Sequence, residues 1–449
     1  MAKKISESIL QKRIKRFKSM KRGYYSLIIL GVFYIISLLG PLWMNNKPLV
    51  IKYENKYYFP AIMDFLDFLP GVNYPLYEAK DFNQNINSIQ ADFRLLNNKI
   101  KKSNNSKYVK PIEKNTEVNY KGPQNIDYRG PQNVNYTGYN FNLKTNTEWV
   151  NKYSKNQNTN KNFIIMPLYP YHPHEDLKDE LDELYTDVNN DGNYNLGEPF
   201  IDENNNGVWN ENYPPTLPDG FNGRHLLGTD NTGRDVFTRL VDGYKISITF
   251  AIIVTTLGYI IGIIIGALLG FYGGKLDLFG VRIMEVFTGI PFLFVMMILA
   301  SFMKPNIILL ATLSVLLKGW IGITYFIRGE FYREKAKDYV SAAVSLGASN
   351  WQVMFKHILP NALTPIITFA PFSIIADIGT LVSLDFLGYG LRPPTSSWGN
   401  LLSQAAENLY NWHMLVFPVV ILTITIFMIT FISEAIREAF DPRVYSRLR

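Results

Sequence analysis

Six apolar segments constrain the fold of this chain more than any other feature of its sequence. A helix needs about 20 mostly apolar residues to cross the hydrocarbon core of a bilayer. The first segment is 24–44, and the others lie at about 246–271, 284–303, 306–327, 362–386 and 414–436. Buried helices of a soluble protein are the alternative, but the charges that flank the segments favour membrane spans. We therefore predict an all-α polytopic membrane protein with six transmembrane helices.

Basic residues indicate how these segments are oriented. Lysine and arginine dominate residues 1–23, where Glu7 is the one acidic residue, and they stop where the first apolar segment begins. Loops rich in lysine and arginine stay in the cytoplasm, so we expect both termini there. Residues 45–240 are then a large, mixed or irregular extracytoplasmic insertion between helices 1 and 2. This placement accounts for much of the net charge of +7, and we predict no nucleic-acid partner.

The sequence lacks the motifs that would make the chain an enzyme. It contains no cysteine, which excludes disulfides, thiolate metal sites and a cysteine nucleophile. No G-x-x-x-x-G-K-[ST] motif occurs, and "GFYGGKLD" at 270–277 has the wrong spacing. We therefore expect that the chain neither binds nor hydrolyses ATP itself.

The stretch "DYVSAAVSLGASNWQVMFKHILPN", residues 338–361, interrupts the apolar segments with an amphipathic pattern. Its spacing predicts a first helix that ends at Gly347, a residue suited to the left-handed conformation. Ser349 stands three residues before Gln352, a capping-box pattern that begins a second helix, and Pro360 is expected to end it. Such a helical hairpin requires either a protein partner or the lipid interface for its apolar face. Both alternatives remain open from the residues alone.

The segment "SAAVSLGASNWQVMFKHILPN" resembles the EAA loop of ABC-importer permeases, which docks on the ATPase subunit. The likeness places this coupling loop at about 330–360. Ser341 stands where the family pattern has an acidic residue, and His357 where many relatives have isoleucine. The resemblance implies an ATPase-coupling role for Ser341, Ala342, Ala343, Gly347, Trp351, Leu359 and Pro360.

Three further stretches resemble permeases of the dipeptide and oligopeptide type. They are "HLLGTDNTGRDVFTRLVDGYKISI" at 225–248, "LDFLGYGLRPPTSSWGNLL" at 384–402 and "EAIREAFDPR" at 434–443. The first span with "NNKPLVIKYENKYYFPAI", and later "RIMEVFTGIPFLF", looks like the branch that imports microcin C and oligopeptides. The resemblance implies a permease core over 241–449, in a bacterial inner membrane. It also implies a peptide substrate and, as partners, a second permease subunit, ABC ATPase subunits, an extracytoplasmic solute-binding protein and membrane lipids.

Small and ionisable residues within the spans are further candidates. Glycines recur every fourth residue along one face of the second span, and this spacing lets helix backbones approach closely, within the subunit or at a subunit interface. These glycines are Gly258, Gly262, Gly266 and Gly270. Pro291 is expected to kink the third span. Asp377 and Asp385 lie in or near the fifth span, where a carboxylate usually faces a cavity or a partner. They are candidates for the transport pathway, with structural capping as the alternative.

The insertion contains "DVNNDGNYNLGE" at 187–198, which fits the calcium loop D-x-[DN]-x-[DN]-G-x5-E. The predicted calcium ligands are Asp187, Asn189, Asp191, Asn193, Asn195 and Glu198. A weaker second loop within 202–213 repeats the start of the pattern with Asp202, Asn204 and Asn206. An Asn/Asp-rich loop with accidental spacing is the alternative.

Two other functions are compatible with parts of the sequence. The chain could be a membrane-anchored calcium-binding extracytoplasmic interaction protein, or half of an exporter. Five further spans and a dedicated hairpin exceed what an anchor needs, and the resemblance of the hairpin favours import. The leading interpretation is the permease subunit of an ATP-driven peptide importer.

Overall fold

The computed structural model of the protein describes residues 9–66, 79–82, 93, 96–97, 100–101, 162–175, 194–195, 198–199, 215–218, 220, 225–407 and 409–440. The chain divides into two compact units, of which one comprises Met1–Asn46 with Pro167–Arg449 and the other Lys47–Met166. The helical unit therefore extends back to Pro167, within the predicted insertion. A β-bridge between Met44 and Tyr169 ties that stretch to the end of the first span.

The helical unit begins with three helices, α1 (Ile9–Ser19), α2 (Lys21–Leu38) and α3 (Gly40–Trp43). The second of them matches the first predicted span. Helix α1 is basic and packs on the end of the last helix, where Arg16 Nη2 lies 3.4 Å from Glu438 Oε1. The Arg13 guanidinium also lies over the Phe440 ring, 4.8 Å from its centroid. These contacts bring the basic N-terminal helix and the last helix together at one end of the unit.

The smaller unit contains a three-stranded antiparallel sheet in the order β2-β1-β3. Its strands are β1 (Val50–Tyr53), β2 (Lys56–Tyr58) and β3 (Phe163–Ile165). Helix α4 (Pro60–Leu66) and a 3₁₀ turn (Ala79–Phe82) lie between β2 and β3 in the chain. Glu54 and Asn55 both have positive φ, which is the geometry of a two-residue hairpin turn. Ile51 lies opposite Tyr58 and Ile164 and forms a small buried cluster with Phe82, Phe93, Leu96 and Ile100.

The longest helix of the chain's described part is α5 (Val236–Tyr272), with 37 residues. At about 1.5 Å per residue it is roughly 55 Å long, more than a bilayer's apolar core requires. A break follows in the third predicted span, where α6 (Gly274–Gly289) and α7 (Phe292–Phe302) meet at 72°. This bend confirms the kink predicted at Pro291, because proline removes one backbone hydrogen bond.

The fourth span is also composite. Helix α8 (Ile307–Ser314) runs into a π-helical segment, Val315–Gly319, and continues as α9 (Ile321–Lys335) with a bend of 42°. The remaining helices are α10 (Asp338–Ser345), α11 (Asn350–Gln352), a second π segment (Val353–Ile358), α12 (Leu359–Ile367), α13 (Ala370–Phe386), α14 (Trp398–Glu407) and α15 (Trp412–Phe440).

Length and composition give three spanning helices among the described residues, or five if each bent pair is one span. The chain is thus a helical membrane protein, but the predicted segment 362–386 is not one continuous helix. Its helical turns belong to α12 and α13, which are separated at 368–369. Pro371 occupies the first turn of α13, where its missing N–H requires no acceptor, so the helix restarts there.

A polar turn holds the start of α5 in place. Asp230 Oδ1 accepts hydrogen bonds from the Thr232 and Arg234 N–H groups, each at 2.9 Å. Its other oxygen pairs with Arg239, and both side chains are fully buried. The Arg239 guanidinium also donates to Asn400 Oδ1 at 2.9 Å. Asp235 caps the helix by accepting from Thr238 N at 2.8 Å. This network fixes α5 against α14, and it positions the spans around the site.

Candidate functional site

The glycine face of α5 lies against the fourth span of the same chain. A Cβ added at Gly258 would lie 2.5 Å from the Gly319 carbonyl oxygen, and one at Gly266 would lie 2.7 Å from the Thr324 carbonyl oxygen. Gly262 and Gly270 meet Ile323 and Phe331 in the same way. The two backbones are therefore in direct contact along about three helical turns. Any larger side chain on this face would separate α5 from α9.

The hairpin predicted at 338–361 is present, with a turn of the predicted kind. Gly347 has φ +85°. The Gly347 N–H donates to Val344 O at 2.9 Å and the Ala348 N–H to Ala343 O at 3.1 Å, the two bonds of a Schellman motif. Because side chains disfavour positive φ, glycine suits this position.

The predicted capping box begins the second arm of the hairpin. Ser349 Oγ accepts from the Gln352 N–H at 3.3 Å, and the Gln352 side chain accepts from the Ser349 N–H at 2.9 Å. Pro360, however, does not end this arm, and that prediction is wrong. The helix continues past it, because the π segment Val353–Ile358 runs without a break into α12 and Pro360 is the second residue of α12. A π segment changes the local hydrogen-bond pattern and so accommodates a proline in a continuous helix.

The hairpin buries one side and exposes the other. Its underside packs on α5 and α9 through a buried apolar cluster that contains Val340, Val353, Met354, Ile358, Phe271, Ile327 and Phe331, and Ala343 is buried as well. Its tip carries exposed apolar side chains: Leu346 is 89% exposed, Trp351 65% and Val344 56%. Ser341, Ala342 and Pro360 are also exposed, whereas Leu359 is half-buried. An exposed apolar tip on a well-packed base is the form of a docking surface.

A buried carboxylate anchors the hairpin to the end of α9. Glu334 is 2% exposed and accepts hydrogen bonds from Lys337 Nζ at 2.6 Å and from the Tyr339 hydroxyl at 2.9 Å. Asn361 Nδ2 in turn donates to the Tyr339 oxygen at 3.2 Å. Burial raises the pKa of the Tyr339 hydroxyl, which therefore keeps the proton that it donates to Glu334. The network connects α9, α10 and α12, and it joins the hairpin to the end of α9.

A cavity of about 730 Å³ lies among the spans, between the two bent helix pairs, α5 and α13. Most of its wall is aromatic or aliphatic, including Phe292, Phe326 and Phe372. Its polar groups include the Tyr259 hydroxyl, which lies 3.0 Å from Ser373 Oγ. A mainly apolar cavity with a few polar groups is the usual form of a small-molecule site.

Two opposite charges reach this cavity. Asp377, a predicted pathway residue, is on its wall, and the Thr255 hydroxyl donates to Asp377 Oδ2 at 2.8 Å. Lys318 is on the wall formed by the π segment of the fourth span, and its ammonium lies 5.4 Å from the Phe292 ring centroid. The sequence interpretation did not select Lys318, although a lysine inside the apolar segment 306–327 is itself a signal.

Asp385, the other predicted pathway residue, does not line the cavity. It is buried, and its Oδ1 accepts from the Leu391 N–H at 2.7 Å. The Ser397 hydroxyl donates to its Oδ2. Both carboxylate oxygens thus bind the loop between α13 and α14, which is the capping role that the sequence left open.

The predicted calcium ligands lie mostly outside the described residues, which include only Asn195 and Glu198 of the set. Glu198 Oε2 accepts from the Asn195 N–H at 2.8 Å. Elsewhere in the described part of the chain, no group of three or more His, Cys, Asp or Glu side chains is placed to hold a metal ion. Calcium binding at 187–213 stays a prediction.

Comparisons with known proteins agree with these features. The model of the family described as binding-protein-dependent transport system inner membrane component matches residues 244–446. The inner membrane ABC transporter permease protein YejE of Escherichia coli (strain K12) is 31% identical over 432 residues, 96% of each chain. The oligopeptide transport system permease protein OppC of Haemophilus influenzae is 35% identical over 223 residues, 49% of this chain and 71% of the relative. Among solved structures, an inward-facing form of the MetNI methionine ABC transporter contains a similar chain, with a TM-score of 0.38 and 22% sequence identity. The match covers 46% of the present chain and 97% of the MetNI chain.

Proposed function

This chain belongs to the family of binding-protein-dependent transport system inner membrane components, and we propose that it is the permease subunit of an ATP-driven ABC importer for peptides. Similarity to YejE over 96% of both chains supports an inner membrane ABC transporter permease, and the partial similarity to OppC supports peptides as the substrate class. The observation that carries the proposal in the structure is the hairpin 338–361, whose apolar tip is exposed while its base is buried.

In this proposal the tip of the hairpin binds an ATPase subunit. ATP-driven closure of the ATPase dimer displaces the hairpin, and the Glu334–Tyr339 contact passes the displacement to α9. Because α9 is packed on the glycine face of α5, the two helices move together and change access to the cavity. ATP hydrolysis takes place in the partner subunits, and this chain supplies no catalytic group.

The proposed assembly contains a second permease subunit, ABC ATPase subunits and an extracytoplasmic solute-binding protein. In the proposed topology the chain crosses the bacterial inner membrane with both termini in the cytoplasm, and residues 45–240 face the periplasm. The comparisons give no support to the alternative of a membrane-anchored calcium-binding interaction protein. Calcium, if it binds at 187–213, is then a structural ion of the insertion and not the basis of the function.

Co-purification tests the docking step. The tagged chain is extracted gently from its native membrane, and ATPase subunits are identified in the purified complex. Gly347→Val places a β-branched residue at φ +85° and is expected to distort the turn of the hairpin. Gly388→Val is the matched control, because Gly388 has φ +80°, equally open surroundings and a position after α13, away from the hairpin.

We expect ATPase subunits to accompany the wild type and the Gly388→Val variant but not the Gly347→Val variant. Proteoliposomes that contain the purified complex and the solute-binding protein should then take up a labelled oligopeptide only with ATP. A correctly folded wild-type chain that carries no ATPase would overturn the proposal.

A further inference from the structure

Lys318 occupies an improbable position for a charged side chain. It is eleven residues beyond Ile307, the start of a composite span that ends at Lys335. At about 1.5 Å per residue it lies roughly 16 Å into that span, close to the middle of a hydrocarbon core about 30 Å thick. A lysine at this depth is too far from either surface to extend its ammonium there. Such a residue faces a partner or a cavity and marks a functional site.

The local backbone presents Lys318 to the cavity. The residue belongs to the π-helical segment Val315–Gly319, and π segments inside α-helices occur frequently at functional sites. The segment packs closely against α5, since a Cβ added at Gly258 of α5 would lie only 2.5 Å from the Gly319 carbonyl oxygen. Gly319 thus packs against α5, and the neighbouring Lys318 lines the cavity.

The contacts of Lys318 are compatible with a ligand. Its ammonium lies over the Phe292 ring, 5.4 Å from the centroid, a weak cation–π geometry. None of the ion pairs found among the described residues includes Lys318, so no carboxylate of those residues lies within 4.0 Å of its ammonium. The cavity therefore holds a cation and a carboxylate that are not paired with each other, and the Thr255 hydroxyl is the donor to Asp377.

We propose that Lys318 binds the terminal carboxylate of a peptide during translocation, and that Asp377 binds its terminal ammonium group. This inference rests on the proposed function and names the part of the substrate that the permease recognises. A peptide carries both charges at its ends whatever its sequence, whereas its side chains differ. The aromatic and aliphatic wall of the 730 Å³ cavity accepts varied side chains, while the two charges bind what all short peptides share.

Uptake of modified peptides by the complete transporter tests this subsite. Proteoliposomes receive one tripeptide as the free acid, as the C-terminal amide or as the N-acetyl derivative, below saturation. Lys318→Gln should lower uptake of the free acid by at least about tenfold, since a hydrogen-bonded charge pair is lost. It should change uptake of the amide by less than about twofold, and Lys318→Arg should restore uptake of the acid.

Asp377→Asn is expected to lower uptake of peptides with a free amino group and to change uptake of the N-acetyl peptide little. Lys304→Gln is the matched control, because Lys304 is exposed and does not line the cavity. The same solute-binding protein serves every sample, so its own preferences cancel when each variant is compared with wild type for the same peptide.

Equal losses of uptake for the acid and the amide in Lys318→Gln would show that Lys318 has a structural role, and would overturn the subsite. Unchanged uptake of both peptides would also overturn the subsite. A wild-type transporter that assembles with its ATPase and takes up none of the peptides would refute the proposed function instead. Photocrosslinking of the wild type is independent of folding defects in the variants. A benzophenone on the side chain of the C-terminal residue, with the carboxylate free, should label 307–335. One on the side chain of the N-terminal residue, with the amino group free, should label 370–386, whereas the reverse pattern would contradict the assignment.

Discussion

Leu346 offers the sharpest test of the hairpin as a docking surface. Its side chain is 89% exposed at the tip, so Leu346→Ala removes almost no contact within the subunit. The free energy of unfolding of the subunit itself should change by less than about 0.5 kcal/mol, as for most exposed positions. If the ATPase covers this side chain, burial of a leucine contributes about 2 kcal/mol to docking, and its loss weakens binding roughly 30-fold.

The assay is a titration of the purified ATPase onto the permease in lipid nanodiscs, with the melting temperature of the permease measured in parallel. Leu168→Ala is the matched control, because Leu168 is 87% exposed and lies in the segment between the smaller unit and α5, away from the hairpin. We expect a raised Kd for Leu346→Ala only, at unchanged melting temperatures. Equal affinity of wild type and Leu346→Ala would refute docking through this tip.

Other parts of the molecule give further expected outcomes. Gly262→Ala forces a Cβ to within 2.7 Å of a facing carbonyl oxygen and should destabilise the chain by about 1–3 kcal/mol, measured as a lower melting temperature. Gly379→Ala is the control and should not lower the melting temperature, because a Cβ there has open space around it. Arg239→Met leaves the charge of the buried Asp230 carboxylate without its cation and should destabilise the chain by about 3–5 kcal/mol in detergent unfolding. Adding Asp230→Asn should recover part of this loss, because it removes the charge and keeps an oxygen for the Thr232 and Arg234 N–H groups. Glu198→Gln should weaken calcium binding at least about tenfold in a calorimetric titration, and a wild-type chain that binds no calcium would contradict the loop assignment.

The turn and cap of the hairpin were predictable because they depend on local chemistry. Gly347 adopts the positive φ that its place in the sequence indicates, and Ser349 and Gln352 form the expected capping box. The end of the second arm was not predictable in this way. A proline ends a regular α-helix, but a π segment before Pro360 changes which N–H groups need partners, and that segment depends on packing against α5 and α9.

The cavity shows the same limit for the candidate site. Asp377 and Asp385 both look like buried carboxylates in an apolar sequence, and only their neighbours distinguish them. Asp385 is satisfied by a loop that folds back from further along the chain, whereas Asp377 faces the cavity. Lys318 was detectable as a charge inside an apolar segment. Its place opposite Asp377 depends on how two distant helices pack, which periodicity does not reveal.

The fourth span connects the two candidate functional sites, the cavity among the spans and the hairpin. Lys318 contributes to the cavity near the middle of the span, and Glu334 anchors the hairpin at its end. Between them the glycine face of α5 keeps the two backbones in contact. Breaks in the helices near Pro291 and at 368–369 border the cavity, as does the bend between α8 and α9. We infer that the hairpin moves α5 and α9 together, and that bending at these breaks opens and closes the cavity.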